Sequence, residues 1–170
     1  FMAYDSRFHG GVNLAVGDVN LDGVAEVITA PRSGGGPHLR IWTGSGRALG
    51  QFWAYDKNFR GGVSVAVGNV MADPQPEIVT VPMTAAGAEV KLFDQYGQLK
   101  KTFVANGVAK PLGPLQVAVG DINRDGADDI GVSRLQDSAV SLFDAQGLNQ
   151  ATFQAVATEY SRGMSFALID

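Results

Sequence analysis

Short apolar runs separated by turn residues recur along the whole chain. The runs are rich in Val, Ile, Leu and aromatic residues and are bounded by Gly, Pro, Asn and Asp, a pattern typical of β-strands. In the first stretch they predict strands at about Val12–Gly17, Ala25–Ala30, His38–Trp42 and Gln51–Tyr55. No segment keeps a helical period over three turns. The pattern therefore predicts an all-β chain of short strands.

The same order of strands repeats along the sequence. An Ala-Val-Gly segment ends at Gly17, Gly68 and Gly120, so the period is about 50 residues. Four short strands in a repeat of this length are typical of one blade of a β-propeller. Small residues such as Ala15 and Gly17 recur in the first strand, as expected for an innermost strand crowded near a central axis. We therefore expect four-stranded antiparallel blades.

The repeat divides the chain into three full blades and two partial ones. The predicted segments are 1–9 for the end of a preceding blade, 10–60, 61–111 and 112–162 for the three full blades, and 163–170 for the start of a next blade. Three blades are too few for a closed ring, which typically has about four to eight. We therefore expect a segment of a larger propeller, completed by further blades or by self-association through its cut edges.

A nine-residue acidic loop follows the first predicted strand in the first and third repeats. Oxygen-bearing side chains stand at positions 1, 3, 5 and 9, and glycine stands at position 6. This spacing suits a hard cation such as calcium, which takes about six to eight oxygen ligands. The predicted ligands are Asp18, Asn20, Asp22, Glu26 and the Val24 carbonyl in the first loop, and Asp121, Asn123, Asp125, Asp129 and the Ala127 carbonyl in the third.

Other interpretations of these loops fit less well. An EF-hand needs glutamate at position 12, where Thr29 and Val132 stand inside predicted strands. Magnesium prefers stricter octahedral geometry, and zinc would lack nearby His or Cys. Asx-turns, in which Asp and Asn side chains bond their own backbone, are the alternative without a metal. The middle copy has Met71 at position 3 and Pro74 at position 6, so we expect little calcium binding there.

Together these elements resemble the FG-GAP (VCBS) repeats of integrin α-subunit propellers and their bacterial relatives. The matching parts are the Val16-Gly17-Asp18 lead-in, the Asp-x-Asn-x-Asp-Gly loop, the strand ending at Pro31, and a Leu-Phe-Asp hairpin at Asp94 and again at Asp144. The resemblance implies calcium sites that position 9 closes from the start of the second strand. It also implies that ligands engage the face away from the calcium loops.

Charge narrows the range of partners. The net charge is -4, which argues against nucleic acid, and no apolar run approaches the about 20 residues of a membrane helix. Sorting charges by strand direction makes the calcium-loop face acidic and the opposite face mildly basic. The bases assigned to that opposite face are Arg7, Arg32, Lys57, Arg60, Lys110, Arg134 and Arg162, with His9 and His38 beside them. An acidic glycan or an acidic protein loop would suit it; a solvated surface without a partner is the alternative.

Two further features of the sequence have two interpretations each. The glycine-rich segment Pro31–His38 would either bring backbone N–H groups to an anion or form a flexible turn. The recurring aromatic residues would either pack between blades or, where exposed, offer a platform for sugars. These aromatic residues are Trp42, Trp53, Tyr55, Phe93 and Phe143.

No catalytic constellation stands out in the sequence. The two histidines lie in loops beside Gly or Pro, and the metal loops account for most carboxylates, so a nucleophile with its base is not evident. We therefore predict a non-catalytic, calcium-binding propeller segment of a secreted or cell-surface protein, serving adhesion or as an interaction scaffold. The alternatives are a lectin-like propeller and an accessory propeller of a larger polysaccharide-active enzyme.

Overall fold

A computed structural model describes residues 1–84, 87–105, 114–134, 139–155 and 167–168. These residues contain twelve β-strands in three antiparallel sheets of four. The strands are β1 Val12–Gly17, β2 Glu26–Pro31, β3 His38–Trp42, β4 Ala48–Trp53, β5 Val63–Gly68, β6 Glu77–Pro82, β7 Glu89–Phe93, β8 Leu99–Val104, β9 Leu115–Gly120, β10 Asp129–Arg134, β11 Ala139–Phe143 and β12 Asn149–Gln154. The all-β prediction is confirmed, and the three sheets resemble open propeller blades.

Each sheet is a meander in which strands pair in chain order. The register of the first pair runs from Val12 opposite Pro31 to Gly17 opposite Glu26. The first and third predicted strands match the structure, and the second is displaced by one residue. The predicted fourth strand, Gln51–Tyr55, is wrong at both ends. The observed strand, β4, starts at Ala48. In the tight turn before it the Thr43 amide donates to the Arg47 carbonyl at 2.9 Å, so β3 and β4 pair from the first residue after the turn.

The first strands of neighbouring sheets lie side by side, and their terminal glycines permit this approach. A Cβ atom at Gly17 would collide with Val67, and one at Gly68 would collide with Val119. Leu168 lies against Gly120 in the same way. The predicted crowding of the first strands is therefore present, and the space beside each glycine is filled by a residue of the next repeat.

Two apolar cores lie between the three sheets. The first contains Ile28, Leu39 and Ile78, and the second contains Val79, Leu92 and Ile130 among others. An aromatic pair recurs at the last residue of the third strand in each sheet; the second and third pairs join neighbouring sheets, and the first packs the N-terminal residue on the first sheet. These are Phe1 with Trp42, Phe52 with Phe93 and Phe103 with Phe143, whose ring centroids are 5.0, 4.9 and 5.7 Å apart. The prediction of packing between blades holds for these rings but fails for Trp53, which is 53% exposed.

The strand order places the connections at two opposite ends of the sheets. The loops between first and second strands and the hairpins between third and fourth strands form one end, called here the loop face. The segments 32–37 and 54–62 lie at the other end, called here the far face. Within the described residues no helix is both long and apolar enough to cross a bilayer.

Candidate metal loops and the far face

The first acidic loop, residues 18–26, is organised by its own side chains. The Asp18 carboxylate accepts hydrogen bonds from the amides of Asp22 (3.1 Å) and Gly23 (2.8 Å). Asn20 Oδ1 accepts from the Asp22 amide, and Asp22 Oδ1 accepts from the Val24 amide, both at 2.8 Å. Side chains at positions 1, 3 and 5 therefore point toward the loop interior, which is the arrangement of successive Asx-turns.

The backbone of this loop needs two left-handed residues. Leu21 has φ of 60° and Gly23 has φ of 85°. A residue with a side chain is strained in this region, whereas glycine adopts it freely, so position 6 favours glycine. The third loop repeats the pattern, with φ of 60° at Arg124 and 89° at Gly126.

Position 9 of the first loop is a buried carboxylate. Glu26 is 2% exposed, and it accepts hydrogen bonds from the Val19 amide (3.1 Å) and from Asn20 Nδ2 (3.0 Å). Burial raises the pKa of Glu26, and the negative charges of Asp22 and Asp18 raise it further. Among the described residues no lysine or arginine forms a salt bridge with it. The loop therefore concentrates negative charge around a desolvated carboxylate.

The third acidic loop, residues 121–129, reproduces the turn contacts of positions 1, 3 and 5, but Asn123 Nδ2 donates to Asp125 Oδ2 (3.0 Å) and not to position 9. Asp121 accepts from the amides of Asp125 (3.2 Å) and Gly126 (3.0 Å), and Asp125 accepts from the amide of Ala127 (2.9 Å). Asp129 at position 9 is 6% exposed, and burial raises its pKa, as do the charges of Asp125 and Asp121. Both intact copies therefore combine a buried position-9 carboxylate with nearby acids.

The donor set of both loops fits a hard cation. All the predicted side-chain ligands are oxygens, and a carboxylate oxygen that accepts one N–H bond keeps a second lone pair. Within the described residues, however, no three His, Cys, Asp or Glu side chains converge into a ready-made metal cage. Position 3 supplies an amide, and the loop's own N–H groups bind the carboxylates. An ion would therefore have to share these oxygens with the backbone.

A cavity lies beside each intact loop. The cavity of about 220 Å³ at the first loop is lined by Asn20, Glu26, Leu49 and Tyr96 among others. The cavity of about 270 Å³ at the third loop includes Asn123, Asp129, Asp144 and Gln150. Solvent and small ions therefore have room next to position 9 of both loops.

The middle loop, residues 69–77, keeps part of this arrangement. Glu77 is 2% exposed and accepts from the amides of Val70 (3.0 Å) and Met71 (3.1 Å). Asp73 Oδ1 accepts from the Gln75 amide at 2.8 Å, which matches position 5 of the other loops. The Met71 side chain has no oxygen to offer an ion at position 3, and weak calcium binding at this loop stays a prediction.

Asp128 has a role that sequence reasoning missed. Its Oδ2 accepts a hydrogen bond from the Asn69 amide at 2.7 Å, and its own amide donates to the Asn69 carbonyl at 2.9 Å. This contact joins the third loop to the middle loop across the sheet interface. The other repeats have Ala25 and Pro76 at this position, so the one sign of this contact in the sequence was an acid that the third repeat alone carries there.

The far face is basic over the part of it that the structure describes. Arg32, Lys57 and Arg60 are exposed, whereas Arg7 lies in a salt bridge with Asp5 at 3.1 Å. A cavity of about 450 Å³ opens here, with His9, Arg32, Met83 and Pro114 in its lining. Arg134 is half-buried at the end of β10, and Lys110 and Arg162 lie outside the described residues.

Amides of the glycine-rich segment donate hydrogen bonds to carbonyls within the protein. The Gly34 amide donates to the Arg60 carbonyl (3.0 Å), the Gly35 amide to Ser33 (2.8 Å) and the His38 amide to Gly36 (2.7 Å). These donors point into local turns, which favours the turn interpretation over a backbone anion site. Through the Gly34 amide, the segment that leads into β3 is hydrogen-bonded to the loop that carries Arg60.

Comparison with protein-family models and with curated proteins finds no match. Solved structures do share the fold. BBS1N, crystallised in complex with ARL6DN, superposes with a TM-score of 0.53 and 14% identity over 83% of this chain and 42% of that chain. The exotype rhamnogalacturonan lyase YesX superposes with a TM-score of 0.53 and 17% identity over 81% of this chain and 29% of that chain. The V. cholerae biofilm matrix protein Bap1 superposes with a TM-score of 0.45 and 22% identity over 85% of this chain and 30% of that chain.

At these low sequence identities, the superpositions are evidence for the fold alone. The chain spans less than half the length of each of these proteins. The superpositions on the first two support three antiparallel sheets arranged as propeller-like blades, in agreement with the order of the twelve strands. The chain is thus an open set of β-propeller-like blades.

Proposed function

We propose that the chain is a calcium-stabilised, non-catalytic segment of an FG-GAP-type propeller, and that it serves adhesion or an interaction scaffold in a secreted or cell-surface protein. One observation carries the calcium part. In each intact loop a buried position-9 carboxylate with a raised pKa stands among further acids, without a described basic residue in a salt bridge to it. A divalent cation would compensate this charge, and the donors are the oxygens that calcium prefers.

Calcium at these loops would act on stability. Position 9 begins the second strand and positions 1 to 5 follow the first, so an ion held by both would brace the turn between them. Sites of this kind suit the millimolar calcium outside cells, where extracellular modules bind at about 10⁻⁴–10⁻³ M. The role proposed for the chain is therefore to present its far face from a rigid frame.

Unfolding in calcium and in chelator tests this proposal. Ligand that binds the native state adds RT ln(1 + [L]/Kd) of stability, which is about 0.4–1.4 kcal/mol for each site when calcium is one to ten times Kd. We expect millimolar calcium to raise the Tm, and Asp22→Ala and Asp125→Ala each to remove part of the increase and one bound ion in titration calorimetry. Asp73→Ala, at the same position of the middle loop, is the matched control and should keep the full response. An unchanged Tm in calcium would overturn the proposal.

A further inference from the structure

Trp53 departs from the pattern of the other aromatic residues. It ends β4 on the far face and is 53% exposed, whereas Trp42 on the neighbouring strand is 5% exposed. One side of its indole is covered by the His38 ring, which is stacked on it at 4.7 Å between centroids and 22° between planes. Burial lowers the pKa of His38, which favours the neutral ring in this stack. With 53% of the residue exposed, part of the indole remains accessible to a ligand.

The repeats provide an internal comparison for this position. His38 is paired with Trp53 across the outer two strands of the first sheet. The equivalent pairs are Glu89 with Val104 in the second sheet and Ala139 with Gln154 in the third. The fold therefore does not require an aromatic pair here. An exposed indole that the fold does not require offers a flat apolar surface with a polar N–H edge to a ligand.

A fixed guanidinium stands beside the indole. Arg60 Nη1 donates to the carbonyls of Lys57 (2.6 Å) and Phe59 (3.0 Å), which hold the group in place. The absent side chain of Gly36 lets both groups approach, since a Cβ there would lie 2.6 Å from the Trp53 ring and 3.5 Å from Arg60 Nη1. Within the described residues no hydrogen bond occupies Arg60 Nε or Nη2, which leaves a planar edge for a carboxylate.

We propose that Trp53 and Arg60 bind a uronic acid unit of an acidic polysaccharide. The apolar C–H face of a pyranose ring would lie on the indole, and its carboxylate would accept paired hydrogen bonds from Arg60 Nε and Nη2. Lys57 adds positive charge nearby. The nearest acid along the chain, Asp56, uses a carboxylate oxygen to accept from the Asn58 amide at 2.8 Å. The inference rests on the proposed function solely in requiring a folded, accessible far face.

Polygalacturonate is the probe, and neutral dextran is its uncharged counterpart. Binding is followed by fluorescence, because the chain has two tryptophans and the other one is buried. Trp53→Val installs the residue that the second sheet carries at this position, and Arg60→Gln removes the guanidinium. Arg47→Gln is the control, since it removes the same charge from the loop-face hairpin of the same sheet. For Trp53→Val, which lacks the fluorophore, retention in gels containing the polysaccharide measures affinity.

We expect the wild type to bind polygalacturonate and not dextran. Each of Trp53→Val and Arg60→Gln should weaken binding about tenfold or more, as expected for loss of a hydrogen bond to a charged group or of a stacking surface. Arg47→Gln should change it less than about twofold. Equal binding of dextran, no binding by the wild type, or undiminished binding by Trp53→Val at an unchanged Tm would each overturn the inference.

The calcium shift measured on the same samples separates the two proposals. Failure to bind polygalacturonate with the calcium shift intact would refute the glycan site alone. Trp53-dependent binding without any calcium shift would refute calcium stabilisation alone.

Discussion

The first and middle acidic loops reach similar conformations with different side chains. Position 4 is left-handed in both, with φ of 60° at Leu21 and 53° at Ala72. Position 9 is a buried glutamate in both, and it accepts the amide at position 2, from Val19 or Val70. These shared features persist where the sequence has lost the predicted donor at position 3. The position-9 carboxylate therefore makes the same contact with the start of the loop in both copies.

The two loops differ at positions 1, 3 and 6. Asp18 accepts two loop amides in the first loop, whereas the middle loop has Asn69 there and Pro74 at position 6, which lacks an amide altogether. Burial is the largest influence on the pKa of Glu77 and raises it, as does the charge of Asp73. The amides of Met71 and Val70 lower it, and so, to the smallest extent, does the charge of Lys100, which is a basic residue near the middle loop. If the intact loops bind calcium as proposed, the positive charge of Lys100 would stand in part for that cation at the middle loop.

The largest expected effect comes from exchanging position 6 between the loops. Gly23→Pro should cost about 3 kcal/mol or more, because proline cannot adopt the φ of 85° and the bond from the Gly23 amide to Asp18 is lost. Pro74→Gly should cost less than about 1 kcal/mol, through the added freedom of the unfolded chain. Urea unfolding in chelator measures both without any contribution from metal. Equal losses would show that the two loops do not differ in backbone at this position.

The sequence was sufficient for the fold because its two signals agree. Strand patterning and the repeat period both reflect local packing, and they placed β1 and β3 correctly. The start of β4 was missed because Ala48, Leu49 and Gly50 carry little strand preference of their own. Their pairing is set by the tight turn that precedes them, a geometry that composition does not express.

For the site, spacing identified the acidic loops but not their surroundings. The contact from Asp128 to Asn69 joins residues 59 positions apart and follows from how two sheets pack. The exposure of Trp53 was equally hidden, since along the sequence it is one of several recurring aromatic residues and lies inside a predicted strand. Calcium itself remains a prediction that the unfolding experiment tests.

A smaller effect is expected from substituting the second residue of the fourth strand of a sheet, which lies beside the acidic loop of that sheet. The residue there is Leu49 next to the first loop, and Lys100 in the second sheet. Leu49→Lys should stabilise the calcium-free protein by about 0.2–1 kcal/mol, the range for exposed ion pairs, and should reduce the calcium response. Lys100→Leu should destabilise it by a similar amount. The measurement is thermal unfolding at low salt in chelator, repeated in 0.5 M NaCl, where both differences should shrink. A Leu49→Lys protein with an undiminished calcium response would contradict the idea of substitution by lysine.

The smallest expected effect is a pH dependence that isolates Glu77 from any metal. Burial raises its pKa above the ordinary value of 4.5, so the folded protein binds this proton more tightly than the unfolded chain does. The resulting stabilisation is complete below pH 4.5 and is lost as the pH rises through the raised value. Glu77→Gln, which keeps an acceptor oxygen for the amides of Val70 and Met71, should lack this dependence. Wild type and Glu77→Gln should therefore differ in the slope of unfolding free energy against pH above 4.5, measured by urea titration in chelator. Parallel slopes would mean that the hydrogen bonds from the amides of Met71 and Val70, together with the field of Lys100, already offset the burial of Glu77.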